Sequence, residues 1–119
     1  AVLGATFKPD SDDVRDSPAL DIAVQLHAAG AEVVIHDPQG IEPARKRFPN
    51  LDYAEVINDA IKDADLILHL TEWKEYRQID PVAISSIVKS KIIIDGRNML
   101  DRTLWRDAGW KFHALGRTD

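Results

Sequence analysis

The sequence predicts an α/β fold of three layers, with a mainly parallel sheet between helices and the strand order 3-2-1-4-5-6. Three observations carry this. Short apolar runs alternate with helical stretches along the whole chain. The run Asp65-Leu66-Ile67-Leu68-His69-Leu70 is apolar enough to be covered on both faces, as a parallel strand is. No repeat, low-complexity stretch or linker divides the 119 residues, a length that fits one domain.

The elements follow in order. Ala1 to Thr6 is an apolar strand ending in a turn. Ser17-Pro18 opens a helix, because Ser caps free N–H groups and Pro suits the first helical position. Ala19, Ile22, Ala23, Leu26 and Ala29 form its apolar stripe, and Gly30 ends it. Val33-Val34-Ile35 is the second strand, closed by Asp37-Pro38. A short helix spans Ile41 to Phe48, a brief edge strand Leu51 to Tyr53, and a helix Tyr53 to Lys62. After the strand Asp65–Leu70 come short helices at Trp73–Arg77 and Pro81–Val88. The strand Lys91–Ile94, the helix Leu100–Ala108 and the strand Trp110–Ala114 complete the pattern. Crossovers should be right-handed, and the winding should reverse between strands 1 and 4.

Composition narrows the function. Hydrophobic residues make up 45% and charged residues 29%, with a net charge of −5. An acidic domain is a poor wrapper of nucleic acid or of an anionic membrane surface. Cysteine is absent, which excludes disulfides, a thiol nucleophile and Cys-ligated metal. A cytoplasmic setting is compatible with that absence. No apolar run reaches the ~20 residues of a membrane span. The chain opens without Met directly into a strand and reads as a piece of something longer.

Ligands of open parallel sheets sit beyond the carboxyl ends of the strands, near the reversal of winding. Those ends hold Thr6 to Arg15, His36-Asp37-Pro38, Thr71-Glu72-Trp73, Asp95 to Asn98 and Gly116-Arg117. Lys8, Arg15 and Arg97 gather cations there, and Phe7 and Trp73 add flat apolar surfaces. Cations beside rings suit a ligand with phosphates and a base. The alternative is that Arg15 pairs with Asp10, Asp12 or Asp13 and Arg97 with Asp95.

The loop after strand 1 lacks G-x-G-x-x-G, so the domain is Rossmann-like without a dinucleotide site of its own. Asp37 holds the place of a ribose-binding acid and, without the glycines, reads as a turn residue. Val14 and Arg15 stand where an EF-hand loop from Asp10 needs an oxygen ligand and glycine, so no calcium loop is expected. His27, His36, His69 and His113 lack metal-ligand spacing and read as structural. No serine lies in a nucleophile elbow. Trp105 and Trp110 read as core or as a face for another domain.

The motif Gly4-Ala5-Thr6-Phe7-Lys8-Pro9-Asp10-Ser11-Asp12-Asp13-Val14-Arg15-Asp16-Ser17-Pro18 resembles the opening of the C-terminal domain of the UDP-glucose/GDP-mannose dehydrogenase family. Gly30-Ala31-Glu32-Val33, His36-Asp37-Pro38, Leu70-Thr71-Glu72-Trp73, Ile94-Asp95-Gly96-Arg97-Asn98 and Ala114-Leu115-Gly116-Arg117 agree in order. Thr71-Glu72-Trp73 tilts the resemblance toward the UDP-glucose branch over the GDP-mannose and UDP-N-acetylmannosamine branches.

The resemblance implies a UDP-sugar-binding domain of an enzyme that oxidises the sugar C6 hydroxyl to a carboxylate with two NAD+. Phe7, Lys8 and Arg97 match positions that bind the nucleotide sugar. Arg15 matches a position that reaches toward the NAD pyrophosphate. The family's catalytic Cys and Lys, its N-terminal NAD-binding domain and its central dimerisation region have no counterpart here. The resemblance therefore implies no catalytic residue and no metal in this chain, inactivity of the chain alone, and a homo-oligomer for the whole enzyme.

Overall fold

The computed structural model describes residues 1–114. Six strands form one sheet: β1 (Val2–Leu3), β2 (Val34–His36), β3 (Asp52–Tyr53), β4 (Ile67–His69), β5 (Ile92–Asp95) and β6 (Lys111–Ala114). Their order is β3-β2-β1-β4-β5-β6 and every pairing is parallel. This is the predicted order. Val2 lies between Ile35 of β2 and Leu68 of β4, so the chain's first strand is central and the winding reverses beside it.

Helices α1 (Pro18–Ala28), α2 (Ile41–Arg47), α3 (Ile57–Ile61), α4 (Lys74–Arg77) and α5 (Arg102–Asp107) connect the strands, with a 3₁₀ turn at Ala83–Ser86. Successive strand residues point to opposite faces, and the core divides accordingly. Val2, Ile35 and Leu68 pack with Leu20, Ala23 and Ala44 on one face. Leu3, Ile67 and Ile93 pack with Tyr76, Trp105 and Trp110 on the other. The two tryptophans meet edge to face at 4.9 Å, so both belong to the core.

Helix α1 follows its sequence signals. Ser17 caps it by accepting from the Leu20 N–H at 3.4 Å, Pro18 opens it, and Gly30 ends it at φ +100°. Its buried face differs from the predicted stripe. Ala19, Leu20 and Ala23 are buried, whereas Ile22 is 38% exposed and Ala29 is exposed. Turning inward the edge that carries Leu20 and the half-buried Val24 leaves Ile22 outside.

Two predicted helices shrink. Tyr53 to Lys62 becomes Ile57–Ile61, because Tyr53 pairs with Ile35 in the sheet and its hydroxyl donates to the carbonyls of Ala44 and Phe48. Pro81 to Val88 becomes the 3₁₀ turn, where the Ser85 hydroxyl donates to the Pro81 carbonyl at 2.7 Å. Serine hydroxyls that bond nearby backbone compete with regular helix.

Gly4 fixes the approach of the two central strand ends. It sits at φ +117°, its N–H donates to the His36 carbonyl at 2.7 Å, and a Cβ there would lie 2.4 Å from Thr71 Oγ1. Only glycine combines that backbone with that proximity.

Candidate functional site

All six strands run the same way, so the loops after β1, β2, β4 and β5 share one edge of the sheet. Two buried carboxylates organise it. Asp37, 3% exposed, ends β2. Its Oδ2 accepts from the Ala5 and Thr6 N–H groups at 2.8 and 3.0 Å, from the Thr6 hydroxyl at 3.2 Å, and from Trp73 Nε1 at 3.1 Å. Its Oδ1 accepts from the Gln39 and Gly40 N–H groups at 2.9 and 2.7 Å. One carboxylate thus ties together the loops after β1, β2 and β4. Both oxygens are committed inside the protein, so Asp37 cannot serve as the ribose-binding acid of a dinucleotide site. It is more than the turn residue that the sequence predicts.

Asp95 ends β5 and is fully buried. Its Oδ1 accepts from His69 Nδ1 at 2.8 Å and from the Arg97 N–H at 2.9 Å. Its Oδ2 accepts from the Met99 and Leu100 N–H groups, both at 2.8 Å. Burial opposes ionisation, but the His69 and backbone hydrogen bonds outweigh it and hold the carboxyl at a pKa of about 2. An ionised carboxylate only accepts, so the bonded His69 Nδ1 carries a proton. His69 Nε2 is buried with no hydrogen-bond partner among the described residues.

His36 and His69 both contact the Tyr76 ring edge to face, at 5.5 and 5.6 Å. The Tyr76 hydroxyl donates to the His36 carbonyl at 3.0 Å and accepts from His36 Nδ1 at 2.8 Å. Burial lowers the His36 pKa and raises that of Tyr76, so both stay neutral near pH 7. The two histidines are structural, as the sequence predicts, and neither is open to the edge.

The segment Thr71-Glu72-Trp73 joins the two halves at the reversal of winding. The Thr71 hydroxyl donates to the Thr6 carbonyl at 2.8 Å, and Trp73 Nε1 reaches Thr6 Oγ1 at 3.2 Å. Between them, Glu72 turns to the other side and binds Arg97 side-on. Arg97 Nη2 donates to Glu72 Oε1 at 3.1 Å and its Nε donates to Oε2. Burial opposes ionisation of Glu72, but the Arg97 bonds prevail and its pKa lies below the ordinary value. The alternative to ligand binding gave Asp95 as the partner of the Arg97 side chain. Asp95 instead takes the Arg97 backbone N–H, its oxygens being filled by His69 and by the backbone of its own loop.

The remaining predicted residues divide. Phe7 is 51% exposed, on a loop closed by its own N–H donating to the Asp13 carbonyl at 2.9 Å. Thr6 Oγ1 donates to the Lys8 carbonyl at 3.0 Å. Lys8 is exposed and makes no ion pair among the described residues. Arg15 is exposed and forms a bidentate pair with Asp13, with Nε and Nη2 each at 3.1 Å. Those hydrogen bonds lower the Asp13 pKa to about 2.

Trp73 corrects an expectation. It is 2% exposed, because its indole N–H is spent on Asp37 and Thr6 and its rings enter the core. It offers no surface to a ligand, and Phe7 is left as the exposed ring. Gly116 and Arg117 lie outside the described residues. Among those described, no group of three or more His, Asp or Glu is arranged to hold a metal ion, and no helix is long and apolar enough to cross a membrane. Glu72, Thr71 and Asp95 were missed as organising residues. Their signal was a polar group directly after an apolar strand run.

The architecture and this edge define a three-layer α/β nucleotide-binding class without a dinucleotide fingerprint. Residues 1–102 match the UDP-glucose/GDP-mannose dehydrogenase family model for the UDP binding domain, and the chain belongs to that family. It is 40% identical over its full length to the UDP-glucose 6-dehydrogenase of Rhizobium meliloti (strain 1021), of which it spans 27%. It is 37% identical over 98% of its length to the UDP-glucose 6-dehydrogenase TuaD of Bacillus subtilis (strain 168), spanning 26% of that protein. The crystal structure of the NDP-N-acetyl-D-galactosaminuronic acid dehydrogenase of Methanosarcina mazei Go1 matches with a TM-score of 0.85 at 27% identity, over 98% of this chain and 24% of that one. The chain thus spans about a quarter of the length of the relatives it matches.

Proposed function

We propose that these 119 residues are the UDP-binding C-terminal domain of a UDP-glucose 6-dehydrogenase, a cytoplasmic homo-oligomer that oxidises UDP-glucose to UDP-glucuronate with two NAD+. In this reading the domain holds the UDP part and carries no catalytic residue. Phe7 lies against the uracil and ribose, and Lys8 and Arg97 meet the polar and anionic groups of the nucleotide. The observation that carries the reading is the sheet edge itself. There a lysine exposed and without an ion pair among the described residues, an oriented arginine fork and a half-exposed phenylalanine stand on loops that Asp37 and Asp95 hold rigid.

The dinucleotide is a separate matter. The Ala5 and Thr6 N–H groups, which would cradle a pyrophosphate in a dinucleotide-binding loop, donate to Asp37. The residues of this chain therefore do not build an NAD site. Arg15, on the exposed loop, is the residue we assign to the NAD pyrophosphate across a domain boundary. To bind it, Arg15 exchanges its exposed Asp13 partner for a phosphate, which costs little because exposed ion pairs contribute little.

Calorimetric titration with UDP, UDP-glucose and NAD+ tests this reading. The chain is expected to bind UDP and UDP-glucose weakly and alike, to bind NAD+ undetectably, and to form no NADH from UDP-glucose and NAD+. Absence of UDP binding, or NADH formation by these residues, would refute it.

A further inference from the structure

Arg97 and Glu72 form a pair whose geometry bears on how a ligand is met. The guanidinium has five N–H donors in one plane. Glu72 takes the side edge, Nε and one hydrogen of Nη2. Among the described residues, both hydrogens of Nη1 and the second of Nη2 have no partner, and one from each nitrogen forms the end edge of the fork, the edge that grips a phosphate or a carbonyl bidentately.

The pair is only part exposed, 34% for the arginine side chain and 19% for the glutamate. A guanidinium on a flexible stem is thus fixed at its side and open at its end. The mounting on either side is rigid. Thr71 and Trp73 bond to Thr6, and Trp73 also bonds to Asp37. The Arg97 backbone N–H is fixed by Asp95, itself bound by His69. The arrangement contrasts with Arg15, whose pair with Asp13 lies at 79% and 40% exposure within a single loop.

We infer that Glu72 is a positioning residue for nucleotide binding: it holds the Arg97 guanidinium side-on so that its end edge faces the ligand. This rests on the reading that Arg97 binds the nucleotide. The glutamate does not itself touch the ligand. Because the pair is formally neutral, it contributes direction, while the unpaired Lys8 contributes net charge. Removing Glu72 therefore has two opposed effects on an anionic ligand. It frees the arginine to wander, which weakens binding, and it removes a negative charge, which strengthens it. Salt separates the two, because screening suppresses the charge effect and leaves the orientational one.

The test measures UDP affinity of the chain and its Glu72→Gln and Arg97→Ala variants at 0.05 M and 0.5 M salt, with amide spectra confirming the fold. At high salt Glu72→Gln is expected to bind about fivefold more weakly than the parent, the size that ordering one rotamer-rich side chain costs. The deficit should shrink at low salt, whereas a general loss of structure would weaken binding alike at both. The Arg97 Nε–H resonance should lose its protection from water exchange in the variant.

Glu72→Gln binding as tightly as the parent at 0.5 M salt, while Arg97→Ala binds weakly, would overturn the inference and leave the underlying reading standing. Arg97→Ala binding like the parent would overturn the reading and the inference with it. Should Glu72→Gln not fold, Glu72→Asp, which withdraws the carboxylate by one methylene and keeps its charge, is expected to weaken UDP binding alike at both salts with loss of Arg97 Nε–H protection, and parent-like affinity would overturn the inference.

Discussion

The two buried aspartates at the strand ends look alike in sequence and differ in what they do. Asp37 precedes proline and Asp95 precedes glycine, each closing an apolar strand. Asp37 gathers only neutral donors, and they come from three loops on both sides of the sheet's reversal point. Asp95 gathers one imidazole and the backbone of its own loop. The first is a brace between loops, and the second sets the shape of a single loop and through it the base of Arg97. The comparison shows why this edge lacks a dinucleotide cradle. The acid after β2 is present, and the backbone N–H groups of Ala5 and Thr6, which would meet phosphate in a dinucleotide loop, donate to it instead.

The largest effect should come from breaking the brace. Asp37→Ala strands the backbone N–H groups of Ala5, Thr6, Gln39 and Gly40, while the Thr6 hydroxyl and Trp73 Nε1 keep the Lys8 carbonyl and Thr6 Oγ1, and each unsatisfied buried donor costs about 1–3 kcal/mol. With typical domain stability of about 5–15 kcal/mol, the variant should be largely unfolded in a urea titration. Native-like stability would mean that water replaces the carboxylate and the brace is dispensable.

Gly4→Ala comes next. The added Cβ would lie 2.4–2.6 Å from Thr71 at a φ of +117°, a strain expected to lower the unfolding free energy from a urea titration by about 2–4 kcal/mol. An effect below about 1 kcal/mol would mean that the β1 and β4 ends separate readily.

Asp95 gives a smaller, pH-coded effect. Its folded pKa of about 2 lies below the ordinary value of 3.8. Stability from this group is therefore fully present above about pH 4 and is lost as pH falls toward 2, amounting to about 2 kcal/mol. Asp95→Asn should remove that part of the acid limb and lower stability at pH 7 by a similar amount. His36 acts in a different window. Its lowered folded pKa means that the unfolded state takes up the proton first, so stability declines as pH falls below about 6.5. Acid unfolding followed by circular dichroism should thus begin in the His36 range and steepen in the Asp95 range, and only the second part should weaken in Asp95→Asn, the remainder belonging to Asp13 and Glu72.

Arg15→Ala should change stability least, because its ion pair is exposed, and it should leave UDP affinity unchanged. A loss of UDP affinity in Arg15→Ala would place that residue among the nucleotide ligands and contradict its assignment to the NAD side.

Much of this was legible in the sequence because it depends on local signals. Alternating apolar runs and short crossovers predict the sheet order. Ser17-Pro18 and Gly30 predict both ends of α1. The strand-end rule placed Phe7, Lys8 and Arg97 on the edge where the proposed ligand sits. The pairing of Glu72 with Arg97 across 25 residues was not legible. It depends on β4 lying beside β5, and on Asp95 already being filled, which no spacing reveals. Trp73 misled for the same reason. An aromatic after a strand reads as a ligand surface until its indole N–H finds a buried acceptor on another loop.

The most direct test of the central claim is a titration of UDP into the chain, followed residue by residue through backbone amide shifts. The account predicts the largest shifts at Phe7, Lys8 and Arg97, with Glu72 moving in concert, and little change at the opposite edge around Gly30 to Glu32. Shifts confined to that opposite edge, or none at millimolar UDP, would contradict it.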